Sequence, residues 1–218
     1  MHILILGATG RTGRLLVDEA LRRGHKVNVV ISHASKLSAN PVMVSVFEGT
    51  PLNPDTLAAA MQGCEAVLST LNISRVSDFP WAKLRTSTDF LSLSMKNIIE
   101  VAEKQHVNRI IITTAWGVNE TKKDIPFWFR WLINFSNIRY PYLDHERQEE
   151  LLKNSGLNWT AVRPAGLTDE KKKKEVIVTL NNTPKPKLTI SRFNTACFML
   201  DVLENNLYNR QFPVISEK

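Results

Sequence analysis

Apolar positions along the chain fall into two alternating kinds of segment. Short runs rich in β-branched residues read as strands, and longer stretches with apolar side chains three or four apart read as helices. The first run, His2 to Leu6, is followed by Leu16 with Ala20 and Val17 with Leu21, a spacing that predicts a helix ending at Gly24. Lys26 to Ile31 and Val42 to Phe47 predict the second and third strands. Asn53-Pro54-Asp55 opens a helix that runs through Met61 and stops at Gln62-Gly63. Glu65 to Leu71 is the fourth strand. Thr88 to Lys104 places Leu91, Met95, Ile98 and Ala102 on one helical face, and Arg109 to Thr114 is the fifth strand. A helix over Asp144 to Asn154 ends at Ser155-Gly156, and Trp159 to Arg163 is the sixth strand. Val176 to Leu180 and Lys187 to Ile190 are short strands, Asn194 to Glu204 a helix, and Phe212 to Ile215 a last strand.

This alternation predicts a three-layer α/β fold around a doubly wound, mainly parallel sheet. No internal repeat or linker interrupts it, so residues 1–218 read as one domain with substrate-side insertions at 117–141 and 167–193. The first insertion is unusual. It concentrates Phe127, Trp128, Phe129, Trp131, Phe135 and Tyr140 where the fold needs only a short connection.

Composition changes this picture little. With 43% hydrophobic and 22% charged residues the chain is an ordinary globular protein rather than a disordered one. Its longest apolar runs are too short for a signal segment or a membrane span, so no membrane partner is expected. Cys64 and Cys197 lie far apart with no second ligand at metal spacing. Both are expected to be reduced, as in a cytoplasmic protein, and no metal is expected. The net charge of +7 is dispersed apart from Lys171 to Lys174, and no nucleic-acid-binding signature accompanies it. It is expected to sit on solvated loops or to attract anionic ligands.

The first strand runs straight into Gly7-Ala8-Thr9-Gly10-Arg11-Thr12-Gly13, which opens the first helix. Glycines at this spacing let the backbone turn tightly and approach a pyrophosphate, and the helix N-terminus supplies free amides and a favourable dipole. Strand, glycine loop and helix in that order predict a Rossmann-type dinucleotide site. After the second strand, an acidic residue would bond the ribose 2'-hydroxyl of NAD. Ser32-His33-Ala34-Ser35-Lys36 contains none. Arg11, Ser32, His33 and Lys36 would instead suit the 2'-phosphate, so NADP(H) is expected over NAD(H).

Three segments carry a resemblance to the atypical short-chain dehydrogenase/reductases. They are GATGRTG at 7–13, Ile112-Thr113-Thr114-Ala115, and the stretch from Ser155 through Trp159-Thr160-Ala161-Val162-Arg163-Pro164-Ala165-Gly166 to Leu167. Within that superfamily the chain is similar to the NAD(P)H-binding group of NmrA-like proteins, NADH-flavin reductases and biliverdin-IXβ reductase. The resemblance covers nearly the whole chain, and it is specific for fold and cofactor rather than substrate. It implies that Thr9, Gly10, Arg11, Thr12 and Gly13 contact the pyrophosphate. Thr50, Pro51 and Leu52 would lie by the adenine, although relatives usually carry Asp where Thr50 stands. Thr70, Leu71 and Asn72 would line the ribose side, and Pro164, Ala165 and Gly166 would face the carboxamide.

The family's Tyr-x-x-x-Lys dyad, in which lysine lowers the tyrosine pKa for proton transfer, is broken here. The lysine position is His145 and the tyrosine position Pro141, with Tyr142 one residue out of register. A site without the dyad suits a planar acceptor that needs little acid catalysis, such as a flavin or quinone, held by proximity and orientation. His145 would then be a ribose ligand or weak proton donor. Thr113 and Thr114, at the carboxyl edge of the sheet, are candidates to bond the cofactor or acceptor. The aromatic stretch, with Trp116, could be a stacking lid, core packing or a dimer contact, which leaves monomer and homodimer open. Two other readings stand beside this one: a non-catalytic NADP(H)-sensing regulator, and a carbonyl reductase or epimerase using Tyr142.

Overall fold

The computed structural model describes residues 1–32 and 43–218. An eight-stranded sheet has the order β3-β2-β1-β4-β5-β6-β10-β8. Its strands are β1 (His2–Leu6), β2 (Lys26–Ile31), β3 (Val44–Glu48), β4 (Ala66–Ser69), β5 (Arg109–Thr113), β6 (Asn158–Pro164), β8 (Val176–Thr179) and β10 (Val214–Glu217). Neighbours pair in parallel except β8, which runs antiparallel to β10 at one edge. A small parallel pair, β7 (Gly166–Thr168) and β9 (Thr189–Ser191), stands apart. The fold is the expected Rossmann-like α/β arrangement, and the strand order reverses between β1 and β4, where such sheets bind ligands.

Side chains alternate across the sheet, so one run of apolar residues feeds two cores. Ile3 and Ile5 face α1 (Arg11–Arg22) and α6 (Arg192–Glu204), packed with Leu16, Ala20 and Met199. Leu4 and Leu6 face the opposite layer of α2 (Pro54–Met61), α3 (Phe90–Lys104) and α5 (Arg139–Asn154), packed with Leu57, Met95 and Leu152. Both faces are covered. That explains why the inner strands lack the polar alternation of a half-exposed sheet.

Several boundaries differ from the sequence expectation. The helix expected over Asp144 to Asn154 begins at Arg139, because Pro141 falls in its first turn, where a missing N–H breaks no helical bond. The aromatic insertion folds into a 3-10 turn at Asn119–Lys123 and the helix α4 (Phe127–Asn134). The apolar residues of α4 lie on almost every side of the helix, so no sequence periodicity marks it. The last strand starts at Val214 rather than Phe212, since Pro213 cannot donate to the ladder and Phe212 packs on Trp159 at 4.7 Å. β4 is shorter than expected, which releases Thr70 and Leu71 from the sheet. β7 had no signal strong enough to read. Of the third expected strand, residue 42 lies outside the described residues.

The helix behind the glycine loop is tied to α6 by a charged cluster. Arg22 Nε and Arg23 Nε donate to Glu19 at 2.6 and 2.8 Å, Arg23 also reaches Asp201 and Glu204 at 2.7 Å, and His25 Nε2 lies 2.7 Å from Glu204. Bonding to Arg22 and then Arg23 lowers the Glu19 carboxyl from 4.5 to about 2 despite its burial. A carboxyl depressed in the folded state contributes stability above its unfolded pKa and loses it as pH falls. Acid titration followed by circular dichroism should therefore show wild-type stability declining between about pH 4.5 and 2. Glu19→Gln should be less stable at neutral pH and should lose less over that interval.

Candidate functional site

At the carboxyl end of β1 the chain turns through Gly7, whose φ of 82° only glycine adopts cheaply. A Cβ there would lie 2.9 Å from the Thr70 backbone. Six residues on, a Cβ on Gly13 would stand 2.0 Å from the Gly7 carbonyl oxygen, so α1 crosses β1 as closely as backbones can. The first helical bond is Arg14 N to Gly10 O at 3.0 Å, and no side chain caps the helix or places an acid in its first turn. The amides of residues 11–13 are thus left for an anion. A dinucleotide pyrophosphate fits this glycine cradle, where any side chain would fill the space.

The loop forms one wall of a cleft of about 1380 Å³. Gly7, Thr9, Gly10, Arg11 and Thr12 line it, while Gly13 lies buried behind them. Thr70, Leu71 and Asn72 continue the lining from the end of β4, Thr113 and Thr114 from the end of β5, and Pro164, Ala165 and Gly166 from the end of β6. Trp116, Trp128, Phe129 and Tyr142 also line it. The cleft therefore joins a phosphate cradle to an aromatic wall.

Other expected residues lie elsewhere. Thr50, Pro51 and Leu52 are outside the cleft lining, with the Pro51 and Leu52 carbonyls accepting from Asn97 Nδ2 on α3 at 3.2 and 2.9 Å. Ser32 is exposed at the end of β2 and is not part of the lining. His33 and Lys36 lie outside the described residues. Arg11 lines the cleft, but its guanidinium grips Asp78 at 2.8 and 3.0 Å and stands 3.9 Å from Asp169.

Thr114 was expected to offer its hydroxyl to a ligand; instead it donates to Glu149 Oε1 at 2.7 Å. Glu149, on α5, also accepts from Arg163 Nε and Nη2 at 2.9 and 2.7 Å and from Asn119 Nδ2 at 2.6 Å. Arg163 and Glu149 are each 1% exposed, and the outer edge of Arg163 meets Glu120. Five residues before Glu149, buried Asp144 accepts from the Leu91 and Ser92 amides at 2.7 and 3.3 Å and so caps α3, whose own Asp89 does not. Asp144 and Glu149 together pin α5. Sequence reading missed both, although Arg163 stood in the recognised segment and a buried arginine implies a carboxylate partner.

Tyr142 and His145 project from the pinned helix into the cleft lining. The Tyr142 hydroxyl donates to the Trp116 carbonyl at 3.3 Å, and burial pushes its pKa up, so the phenol stays protonated. His145 Nδ1 lies 3.2 Å from Gln148 Oε1, and burial lowers its pKa, so the ring is neutral at physiological pH. Thr113 is half-buried, its hydroxyl 3.5 Å from the Ser69 carbonyl. No lysine lines the cleft among the described residues.

A family model described as NAD(P)H-binding matches residues 7–206. The chain belongs to this NAD(P)H-binding family. Among curated relatives, an oxidoreductase from Pestalotiopsis microspora is 26% identical over 180 residues, covering 75% of this chain and 66% of the relative. The NAD(P)H-binding chain thus spans just under two thirds of that protein's length. ChuY, described as an anaerobilin reductase from Escherichia coli O157:H7, superposes with a TM-score of 0.81 at 21% identity over 100% of this chain and 97% of its own. A short-chain dehydrogenase/reductase from Veillonella parvula in complex with NADP gives 0.78 at 18% identity over 99% and 94%. At these identities the two structures bear on the fold alone. Its parallel sheet, switch point and glycine cradle are those of Rossmann NAD(P)-binding proteins.

Removing one partner of the buried pair is expected to be costly. Arg163→Met should lower unfolding free energy by about 3–5 kcal/mol, because the buried Glu149 would lose its buried cationic partner. Thr114→Val should cost about 1–3 kcal/mol. Urea unfolding measures both. Gly13→Ala should abolish dinucleotide binding in calorimetry, since the added carbon has no space beside the Gly7 carbonyl.

Proposed function

We propose that this chain is an NADPH-dependent oxidoreductase whose acceptor is a planar ring such as a flavin or quinone. The observation that carries this reading is that the glycine cradle and Trp116, Trp128, Phe129 and Tyr142 line one cleft. The bound dinucleotide supplies the hydride. The chain's own residues bind, orient and exclude water. Amides of residues 11–13 and the first-turn dipole hold the pyrophosphate. Thr70 to Asn72 and Pro164 to Gly166 bracket the remainder of the dinucleotide, and the aromatic wall stacks the acceptor against it.

Proton transfer by a side chain has little part in this reading. The Tyr142 hydroxyl is committed to a carbonyl, and neutral His145 holds Gln148 rather than acting as a cationic acid. A reduced flavin or quinone can take its proton from water. A relative named as an oxidoreductase and a structural neighbour described as an anaerobilin reductase support redox chemistry. The neighbour crystallised with NADP and the absence of an acid after β2 support NADPH. Arg11 would hold the 2'-phosphate by exchanging its exposed pair with Asp78, which is worth little in solvent.

Stopped-flow mixing of the protein with NADPH and FMN, riboflavin or simple quinones should show cofactor oxidation; none with any acceptor removes the proposal. Tyr142→Phe should stay within about twofold of wild type, whereas a loss of about a hundredfold or more would restore carbonyl-type acid catalysis. Burial lowers the His145 pKa, so any inflection of the rate from this ring should lie on the acid side of the ordinary histidine value. Arg11→Ala should weaken NADPH binding by about tenfold and leave NADH binding unchanged.

A further inference from the structure

The aromatic insertion leaves a broad apolar face in solvent. Phe127, Trp128, Trp131 and Phe135 come from α4 and its C-terminal end, and Phe79 and Trp81 from the loop between β4 and α3. Phe127 is 73% exposed, Phe135 64% and Phe79 63%. The two segments are one surface, because Trp81 Nε1 donates to the Phe135 carbonyl at 2.9 Å. Asn137 returns bonds to the Pro80 and Trp81 carbonyls at 3.0 and 2.9 Å. Phe79 with Trp81 and Trp131 with Phe135 pack ring to ring at 5.4 Å. A patch of large aromatic residues held in place by backbone bonds is built to meet something apolar.

Its charges indicate what that is. Residues 125–143 carry Arg130 and Arg139 and no carboxylate. Residues 73–86 carry Arg75, Lys83 and Arg85, and their one carboxylate, Asp78, is gripped by Arg11. A second copy docked by two-fold symmetry would set these five cations against themselves with Asp78 as the one acid in the two segments. Tryptophan and phenylalanine in segments whose charges are mainly arginine and lysine match the interface of an anionic bilayer, where aromatic rings sit at headgroup depth and cations meet lipid phosphates. We infer that the face formed by α4 and the loop between β4 and α3 docks on an anionic lipid surface.

Among the described residues no helix is long and apolar enough to cross a membrane, which does not oppose this, since a surface-bound protein needs none. The expectation of no membrane partner rested only on that absence. Pro126, Trp128 and Phe129 belong both to this region and to the cleft lining, so an acceptor dissolved in the bilayer reaches the site along aromatic surface. That selects a lipophilic ring, such as a quinone with an apolar tail. This clause rests on the redox reading above, whereas docking itself does not.

Co-sedimentation of the full chain with phosphatidylcholine vesicles containing about one third phosphatidylglycerol tests the inference. The wild type should bind with a blue shift in tryptophan emission, detach as salt is raised, and bind pure phosphatidylcholine weakly. The double variant Phe127→Asp, Phe135→Asp, neither residue lining the cleft, should bind anionic vesicles about tenfold or more less tightly. Its NADPH oxidation with a water-soluble acceptor should be unchanged. Failure of the wild type to bind anionic vesicles, equal binding to neutral ones, or undiminished binding by the variant overturns the proposal. So does a wild-type dimer in light scattering that the variant abolishes, which would put a second copy on the face. Vesicle binding without oxidation of NADPH by any acceptor would sink the redox reading and leave the docking surface standing.

Discussion

Close approach of two backbones at the reversal point of the sheet governs much of what this protein can do. With 2.0 Å between the Gly7 carbonyl oxygen and the place a Gly13 side chain would occupy, α1 is drawn against β1 until its first turn points into the cleft between β1 and β4. The same approach seats Gly7 on Thr70, whose hydroxyl donates to the Leu6 carbonyl at 3.3 Å, so the ends of two neighbouring strands share one edge of the site. An anion cradle results from backbone geometry alone and requires no charged side chain.

The part of the cleft lined from α5 is organised by charge rather than by backbone proximity. α5 is held at two points by fully buried carboxylates, Asp144 on the N-terminus of α3 and Glu149 on Arg163 from β6. Between them lies His145, and one turn earlier Tyr142. A buried ion pair is weak support for stability, yet it is strict about geometry, because a shift leaves charge unpaired in an apolar interior. Consumption of the Thr114 hydroxyl by Glu149 belongs to this fastening, and it withdraws from the ligand a group that the strand edge would otherwise present.

Placing α4 beside that helix adds aromatic residues to the cleft lining and leaves a second aromatic face in solvent. Phe129 packs edge-on against Tyr142 at 6.4 Å, linking the two helices, while Phe127 and Trp131 point away. One eight-residue helix thus contributes both to the wall of a cleft and to an exposed surface.

Much of this architecture was legible in the residues themselves. β1, β2 and α2 begin and end where apolar runs meet glycine, a polar or charged residue or the Asn53-Pro54 start signal, because buried parallel strands and capped helices leave local signatures. The glycine loop was equally plain, since its function lies in the backbone. Side-chain roles were not. Thr114, Tyr142 and Arg11 were chosen by position, but their partners, Glu149, the Trp116 carbonyl and Asp78, lie 26 to 67 residues away in sequence. The spacing along the chain carries no record of those meetings. Nor could it separate lid from core or interface among the aromatic residues, because exposure is decided by what packs above a helix. The sequence determined the sheet, its glycine turn and the family; tertiary packing decided which polar groups remained for a ligand and which aromatic faces were left open to solvent.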